Sequence, residues 1–274
     1  MIGQHINAND EGRDMAKTAE TATIAQQWEH RSIRRFTNEA VDLALLKQIR
    51  AVADRTATSM GMQMASVVRI TDTEIRQTFA AVTGQDYVAE APELWVFLVD
   101  GHRNAAIYRQ KTQKGASLGM GTFFQGFSDA VLMAQNVMNA VESAGLGGVF
   151  IGSILNDPAR IAEALHLPRL VFPALAILFG KPAEKPTLKP RLPKTARFFE
   201  NIYPTDEVLL ADLESYDAAM RQYVDLRHPE RTLPSFTEQV VPYLETRTKS
   251  RDALLLALKA VGFRIDVDTS EEAQ

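Results

Sequence analysis

Apolar side chains at Val41, Leu45, Leu46, Ile49 and Val52 recur at helical spacing and predict an amphipathic helix over 41–54. Residues 63–71, QMASVVRIT, end in a β-branched run and read as a strand. Asp72 then fits a helix N-cap, with the helix over Thr73–Val82. LWVFLV at 94–99 and VFPALAILF at 171–179 are short continuous apolar runs, the mark of strands buried on both faces. In the second, Pro173 must sit at the strand start or on an edge, because it has no N–H to give. The strongest helix signal spans 123–144. Phe127, Ala130, Val131, Ala134, Val137, Met138 and Val141 mark one stripe, and Leu132, Met133 and Ala140 add apolar positions on other faces. A helix apolar on several faces belongs in a core or an interface.

Flanking these elements, residues 1–28 are polar and Ala/Thr-rich and read as an N-terminal extension, with a short helix expected before His30. The Pro- and Lys/Arg-rich stretch 180–197 reads as a loop. Helices are predicted at about 206–225, 234–246 and 250–261. Strands come singly between helices at unequal spacing, unlike the regular βαβ rhythm of a doubly wound sheet. The pattern predicts an α+β fold with a central, mostly antiparallel sheet sandwiched by helices. No repeat or linker stands out, so residues 29–274 read as one domain with a C-terminal helical excursion over about 206–262.

Composition narrows the function. Apolar residues make up 46% of the chain and charged residues 23%, as in a soluble globular protein. The net charge of −4 and the lack of a basic stripe argue against a nucleic-acid partner. With no cysteine, disulfides, thiolate catalysis and cysteine-bound zinc are excluded. No run of about 18 apolar residues predicts a membrane span, and the N-terminus lacks the apolar core of a signal peptide. A cytoplasmic protein is expected. His5, His30, His102, His166 and His228 are far apart and in no metal-binding spacing, so no metal is expected. There is no GxSxG elbow and no GxxxxGK[ST] loop. The glycine cluster at 145–152 fails the dinucleotide fingerprint, because Phe150 holds the third glycine position and the cluster follows a helix.

Four constellations remain. His30–Arg31–Ser32–Ile33–Arg34–Arg35–Phe36 gathers guanidinium forks and a hydroxyl suited to phosphate. Lys189–Pro190–Arg191 presents two cations at a stiffened spacing. The glycines at 145–152 allow a flat ligand to approach backbone N–H donors, or simply stop a helix before a strand. Gln85, with Tyr87 nearby, can both donate to and accept from a heteroaromatic edge. Taken alone, the two basic segments and the Gln85–Tyr87 loop fit solvated surface better than a site, and the glycines fit a plain helix stop equally well.

In this order, HRSIRRF, the Gln85/Tyr87 pair, AGLGGVFIG and LKPRLP resemble the nitroreductase superfamily, and most closely its oxygen-insensitive NADPH nitroreductase and flavin reductase branch. The resemblance runs from about His30 to Arg231 and includes VRITD at 68–72 and MAQN at 133–136.

The resemblance implies an intertwined homodimer holding FMN. His30, Arg31 and Ser32 match the segment that holds the flavin phosphate and ribityl chain. Arg34 matches a cation beside the pyrimidine edge, where a fixed positive charge favours the reduced flavin. Lys189 and Arg191 match a second phosphate clamp. Gln85 and Tyr87 match residues beside the ring, and Thr58 a flavin-contacting serine. Phe150, Ile151, Gly152 and Ser153 match the segment whose N–H groups face the ring. Arg227 and Arg231 match arginines that receive the 2′-phosphate of NADPH. Departures from the pattern are Thr58–Ser59–Met60–Gly61 where several serines are usual, Ser153 where a glycine is common, and the extra charge of Arg35. The implied activity is two-electron, ping-pong transfer from NADPH, with NADH possible, to nitroaromatics, quinones or similar small acceptors, with no protein side chain as an essential acid or base. The alternatives are a flavin reductase that supplies reduced FMN, and a low-turnover flavin-binding redox sensor.

Overall fold

In the computed structural model, residues 21–226, 230–247 and 253–266 are described. They form two compact units: one from 32–185 with 253–266, the other from 21–31 with 186–226 and 230–247.

The first unit is built on a sheet of β1 (Ala65–Arg69), β2 (Glu93–Asp100), β3 (Gly147–Ile151) and β4 (Val171–Gly180). Its order among the described residues is β1-β2-β4-β3, and every pairing is antiparallel. The apolar run of β2 is explained by burial on both faces. Trp95, Phe97 and Val99 enter one core cluster, and Leu94, Val96 and Leu98 enter the other. β4 keeps its own faces in step through a bulge. Leu98 pairs with Pro173 and Phe97 with Leu175, so Ala174 is the extra residue. Phe172 and Ala174 therefore share a cluster with Ile177 and Phe179 despite the change of parity. Pro173 lies beyond the reach of β3, which pairs only with Ala176–Gly180. At that point β4 is locally an edge, as the missing N–H requires.

The helix Leu43–Ala53 and the long helix Met120–Ser143 cover one face of the sheet, and the helices Thr73–Thr83 and Pro158–Ala164 belong to the other cluster. Asp72 caps Thr73–Thr83 by accepting from Ile75 N, as expected from the sequence. Phe123, on the long helix, stacks edge-on against Phe172 and Phe263 with centroids 5.7 and 5.3 Å apart, which seats the C-terminal segment on the core. The last helix of this unit is Leu254–Ala260, inside the span predicted at 250–261, of which 250–252 lie outside the described residues. Three helices, Tyr87–Glu90, His102–Thr112 and Pro158–Ala164, differ from the sequence expectation of loops there.

The second unit holds helices Ala22–Trp28, Asp206–Leu210, Leu213–Gln222 and Phe236–Pro242. The expected short helix before His30 is present. The single helix predicted over 206–225 is instead two, interrupted at Ala211–Asp212. Ser235 starts the next with a reciprocal capping box to Glu238.

Candidate functional site

On the first unit, the basic motif is pinned to the edge of the sheet. Ser32 bridges Gly148 in parallel, and Ile33 N donates to Gly148 O over 2.9 Å. The glycines of the cluster divide this labour. Gly145, at φ +75°, follows the end of the long helix in a left-handed turn. A Cβ on Gly147 would stand 2.5 Å from Ile33 Cγ1, so only glycine admits Ile33 against β3. Gly152 has no neighbour within 4 Å of a Cβ position, and its backbone borders open space. A flat ligand can thus approach position 152, whereas positions 147 and 148 serve packing.

Farther along the motif, Glu184 accepts from Arg34 N at 2.7 Å and Arg35 N at 3.2 Å. Thr37 N donates to Lys181 O, and Ala183 N to Arg35 O, so the strand-like segment is held along its length. Among the described residues, this leaves the Arg34 guanidinium a 3.4 Å contact, Nη1 to Ser32 O. Nothing in the sequence marks Glu184 as part of the site. It acts on backbone 150 positions away, which no spacing rule displays.

Gln85 and Tyr87 meet the Phe150–Ser153 segment. The Tyr87 hydroxyl donates to Gln85 Oε1, and Gln85 Nε2 donates to Ser153 Oγ over 3.0 Å. Arg76 holds the same loop by donating to Ile70 O, Ala91 O and Pro92 O. Burial pushes its guanidinium below the ordinary range, partly countered by Glu93.

Thr58 has a structural engagement. Its hydroxyl donates to Asp129 Oδ2 at 2.6 Å and accepts from Gln63 N at 2.9 Å. Buried Asp129 also accepts from Ser59 N at 2.8 Å and Met64 N at 3.0 Å. The proton of Thr58 is therefore committed within its own loop, and one oxygen lone pair is left for a ligand.

On the second unit, Arg31 Nε donates to Pro186 O at 2.9 Å, and its Nη1 donates to Glu29 Oε2 at 2.8 Å. An anion at Arg31 would compete with Glu29. His30 follows the helix Ala22–Trp28 and is half-buried. Arg191 folds over its own loop, with Nη1 donating to Lys189 O at 3.0 Å. Lys189 Nζ stands 5.9 Å from the Tyr223 ring centroid. Burial pushes the Tyr216 phenol up, while the charges of Arg191 and Arg197 pull it down by less. Arg231 Nε lies 3.6 Å from Glu230 Oε1 on an exposed surface. Arg227 lies outside the described residues, as do His5 and His228. No group of three or more His, Asp or Glu side chains able to hold a metal occurs among the described residues. None of their helices is long and apolar enough to cross a membrane.

Comparison with known proteins gives concordant matches. The profile of the nitroreductase family matches residues 29–181, and that of the nitroreductase family C-terminal domain matches 189–266. The chain is 42% identical over 197 residues to an oxygen-insensitive NADPH nitroreductase of Salmonella typhimurium, covering 71% of this chain and 79% of that protein. Its fold superposes on nitroreductase A from Vibrio parahaemolyticus with a TM-score of 0.81 and 33% identity, covering 89% of this chain and 99% of the other. It superposes equally on the NADPH:FMN oxidoreductase from Vibrio harveyi, solved with NAD+, with a TM-score of 0.79, 32% identity and the same coverage of 89% and 99%.

Proposed function

The chain belongs to the nitroreductase family, and on that premise we propose that it is an FMN-dependent NADPH oxidoreductase of nitroaromatics, quinones and similar small acceptors. The observation that carries this reading is the Ser32–Gly148 bridge. It sets the basic motif beside β3, whose continuation at Gly152 borders open space.

FMN, when bound, supplies the two-electron carrier between the nicotinamide and the acceptor. On the first unit, Ser32 offers a hydroxyl to its phosphate or ribityl chain, and Arg34 a cation to the pyrimidine edge. Gly152 and the neighbouring Phe150, Ile151 and Ser153 offer backbone to the ring. Gln85, held by Tyr87 and Ser153, presents a fixed amide to its edge. Thr58 can accept through its remaining lone pair. On the second unit, His30, Arg31, Lys189 and Arg191 are assigned to the phosphate, and Arg231, with Arg227, to the 2′-phosphate of NADPH. NADH can serve as a weaker donor. Protons come from solvent, so no side chain is assigned as acid or base.

The holoprotein should be yellow, release FMN on denaturation, and oxidise NADPH faster when a quinone or nitroaromatic is added. A colourless protein that takes up no added FMN would overturn the assignment. A second reading, a reductase that hands reduced FMN to another enzyme, is favoured by the likeness to the Vibrio harveyi NADPH:FMN oxidoreductase. Turnover with free FMN against turnover with a nitroaromatic separates the two.

The protein is read as a cytoplasmic homodimer. Phe124, Val131 and Leu132 stay exposed on the long helix, opposite its buried stripe. Phe124 and Val131 are seven residues apart and share one face, as a helix–helix interface requires. Light scattering should give twice the chain mass of 30.4 kDa. A monomer that retains FMN and activity would contradict it.

A further inference from the structure

The first unit also carries a pocket that none of the residues assigned to FMN or NADPH lines. Its volume is about 340 Å³. It lies between the helix His102–Thr112, the loop that follows, and the chain at Arg169–Leu170 and Gly262. Two of its side chains, Arg109 and Arg169, are cations, and His102 adds an imidazole. Ala105, Ala106 and Leu170 provide an apolar lining. The volume falls at the lower end of the range for small-molecule sites, about 300–1,000 Å³. That leaves room for an organic body as well as an anionic head.

The charges are not neutralised from within. Among the described residues, neither the Arg109 nor the Arg169 guanidinium has a carboxylate or hydrogen-bond partner. The chain carries a net charge of −4, yet no Asp or Glu occurs between Asp100 and Asp129, a stretch holding His102, Arg103, Arg109, Lys111 and Lys114. Two carboxylates near the pocket in sequence, Asp100 and Asp266, are already engaged. Asp100 accepts from the Ser66 hydroxyl and from Arg103 N, and Asp266 pairs with Lys259 at 3.5 Å.

The wall is also built, not incidental. His102 Nδ1 lies 3.1 Å from Arg169 O. A carbonyl can only accept, so Nδ1 carries the proton and Nε2 remains for a ligand. Leu170 N donates to Val261 O over 2.7 Å, and Arg264 N to Leu118 O over 2.8 Å, which fastens the C-terminal turn to both sides of the pocket. Gly262 lies at φ +102°, and a Cβ there would stand 2.6 Å from Arg169 Nη2. The guanidinium can lie against this turn because position 262 is glycine.

We propose that this pocket binds a small phosphomonoester with an apolar body. Two guanidinium forks give donors for the three terminal oxygens of a phosphate dianion, more than the two oxygens of a carboxylate need. The alanines and Leu170 receive the organic part.

The test is calorimetric titration of the FMN-saturated holoprotein with phenyl phosphate, with benzoate and phenol as controls. Saturation with FMN removes the flavin phosphate site from the competition. One site is expected for phenyl phosphate, with benzoate weaker and phenol not bound. Arg169→Gln and Arg109→Gln should each weaken phenyl phosphate about tenfold to a hundredfold. Arg231→Ala should leave it unchanged, which separates this pocket from the residue assigned to NADPH. Both arginines are exposed, and retained FMN with an unchanged circular dichroism spectrum shows that the variants fold. The proposal is overturned by no binding at millimolar phenyl phosphate, by binding that survives both glutamine variants, or by binding lost in Arg231→Ala instead.

Discussion

Gln85 Nε2 donates to Ser153 Oγ over 3.0 Å, joining residues 68 positions apart. With the Tyr87 hydroxyl donating to Gln85 Oε1, the amide is gripped at both ends. Its orientation is fixed before any ligand arrives, and such preorganisation lowers the ordering cost of binding.

Ser153→Gly should release the amide. The change restores the residue commonly found at this position in the family and removes one side-chain hydrogen bond, worth about 0.5–1.5 kcal/mol. FMN affinity should fall about twofold to tenfold. Titration of FMN into the apoprotein, followed by fluorescence quenching, measures it. An unchanged Kd would mean that Ser153 does not orient Gln85 toward the flavin.

Thr58 distinguishes a ligand contact from a loop anchor. Its hydroxyl donates to Asp129 and accepts from Gln63 N. Thr58→Val should therefore cost about 1 kcal/mol of stability and change the FMN Kd less than about threefold. Asp129→Ala should cost more, about 3 kcal/mol, because Ser59 N and Met64 N lose a charged acceptor as well. Thermal unfolding of the two variants beside FMN titrations checks both. A tenfold loss of FMN affinity in Thr58→Val at unchanged stability would show that the flavin contact outweighs the loop anchor.

Arg191→Ala should weaken FMN binding about tenfold to a hundredfold, the worth of a charge-assisted bond to phosphate. Arg35→Ala should have little effect. Arg35 is exposed and joins the structure through its backbone, N to Glu184 and O from Ala183 N. Apoprotein titrations rank the two, and equal losses would show that the LKPRLP loop has been misread.

These assignments differ in how far the sequence displays them. The strand at 93–100 was legible because burial on both faces leaves an unbroken apolar run. The helix His102–Thr112 buries no residue, so it has no apolar stripe to betray it. The helix Pro158–Ala164 did leave a signal: Asp157 caps it and Pro158 opens it, the pairing expected of a helix start. The break at 211–212 has no proline or glycine to mark it. In the site, the contiguous motifs could be read directly, since the ligand groups lie side by side in the chain. Glu184, Arg76 and Asp129 could not, because each acts on backbone brought near only by folding. Asp129 alone left a trace, as a lone carboxylate on the apolar stripe of the long helix.

A preference for NADPH over NADH should depend on Arg231, and the structure adds a modulator. Glu230 Oε1 lies 3.6 Å from Arg231 Nε, with both side chains well exposed. An exposed pair of this kind contributes little to stability, and solvent and salt screen it. If Arg231 receives the 2′-phosphate, the pair places a negative charge beside that contact. Arg231→Ala should raise the KM for NADPH about fivefold to thirtyfold, the range expected of one screened charge-assisted contact. It should leave NADH and the FMN content almost unchanged. Glu230→Gln should act in the opposite direction, lowering the KM for NADPH a few-fold while sparing NADH, and its effect should shrink at high salt. The measurement is kcat/KM for both nucleotides with one quinone acceptor at low and high ionic strength. If Glu230→Gln leaves the nucleotide ratio untouched while Arg231→Ala changes it, the arginine reads the phosphate from a position where Glu230 no longer faces it. If neither changes the ratio, this loop does not read the 2′-phosphate at all.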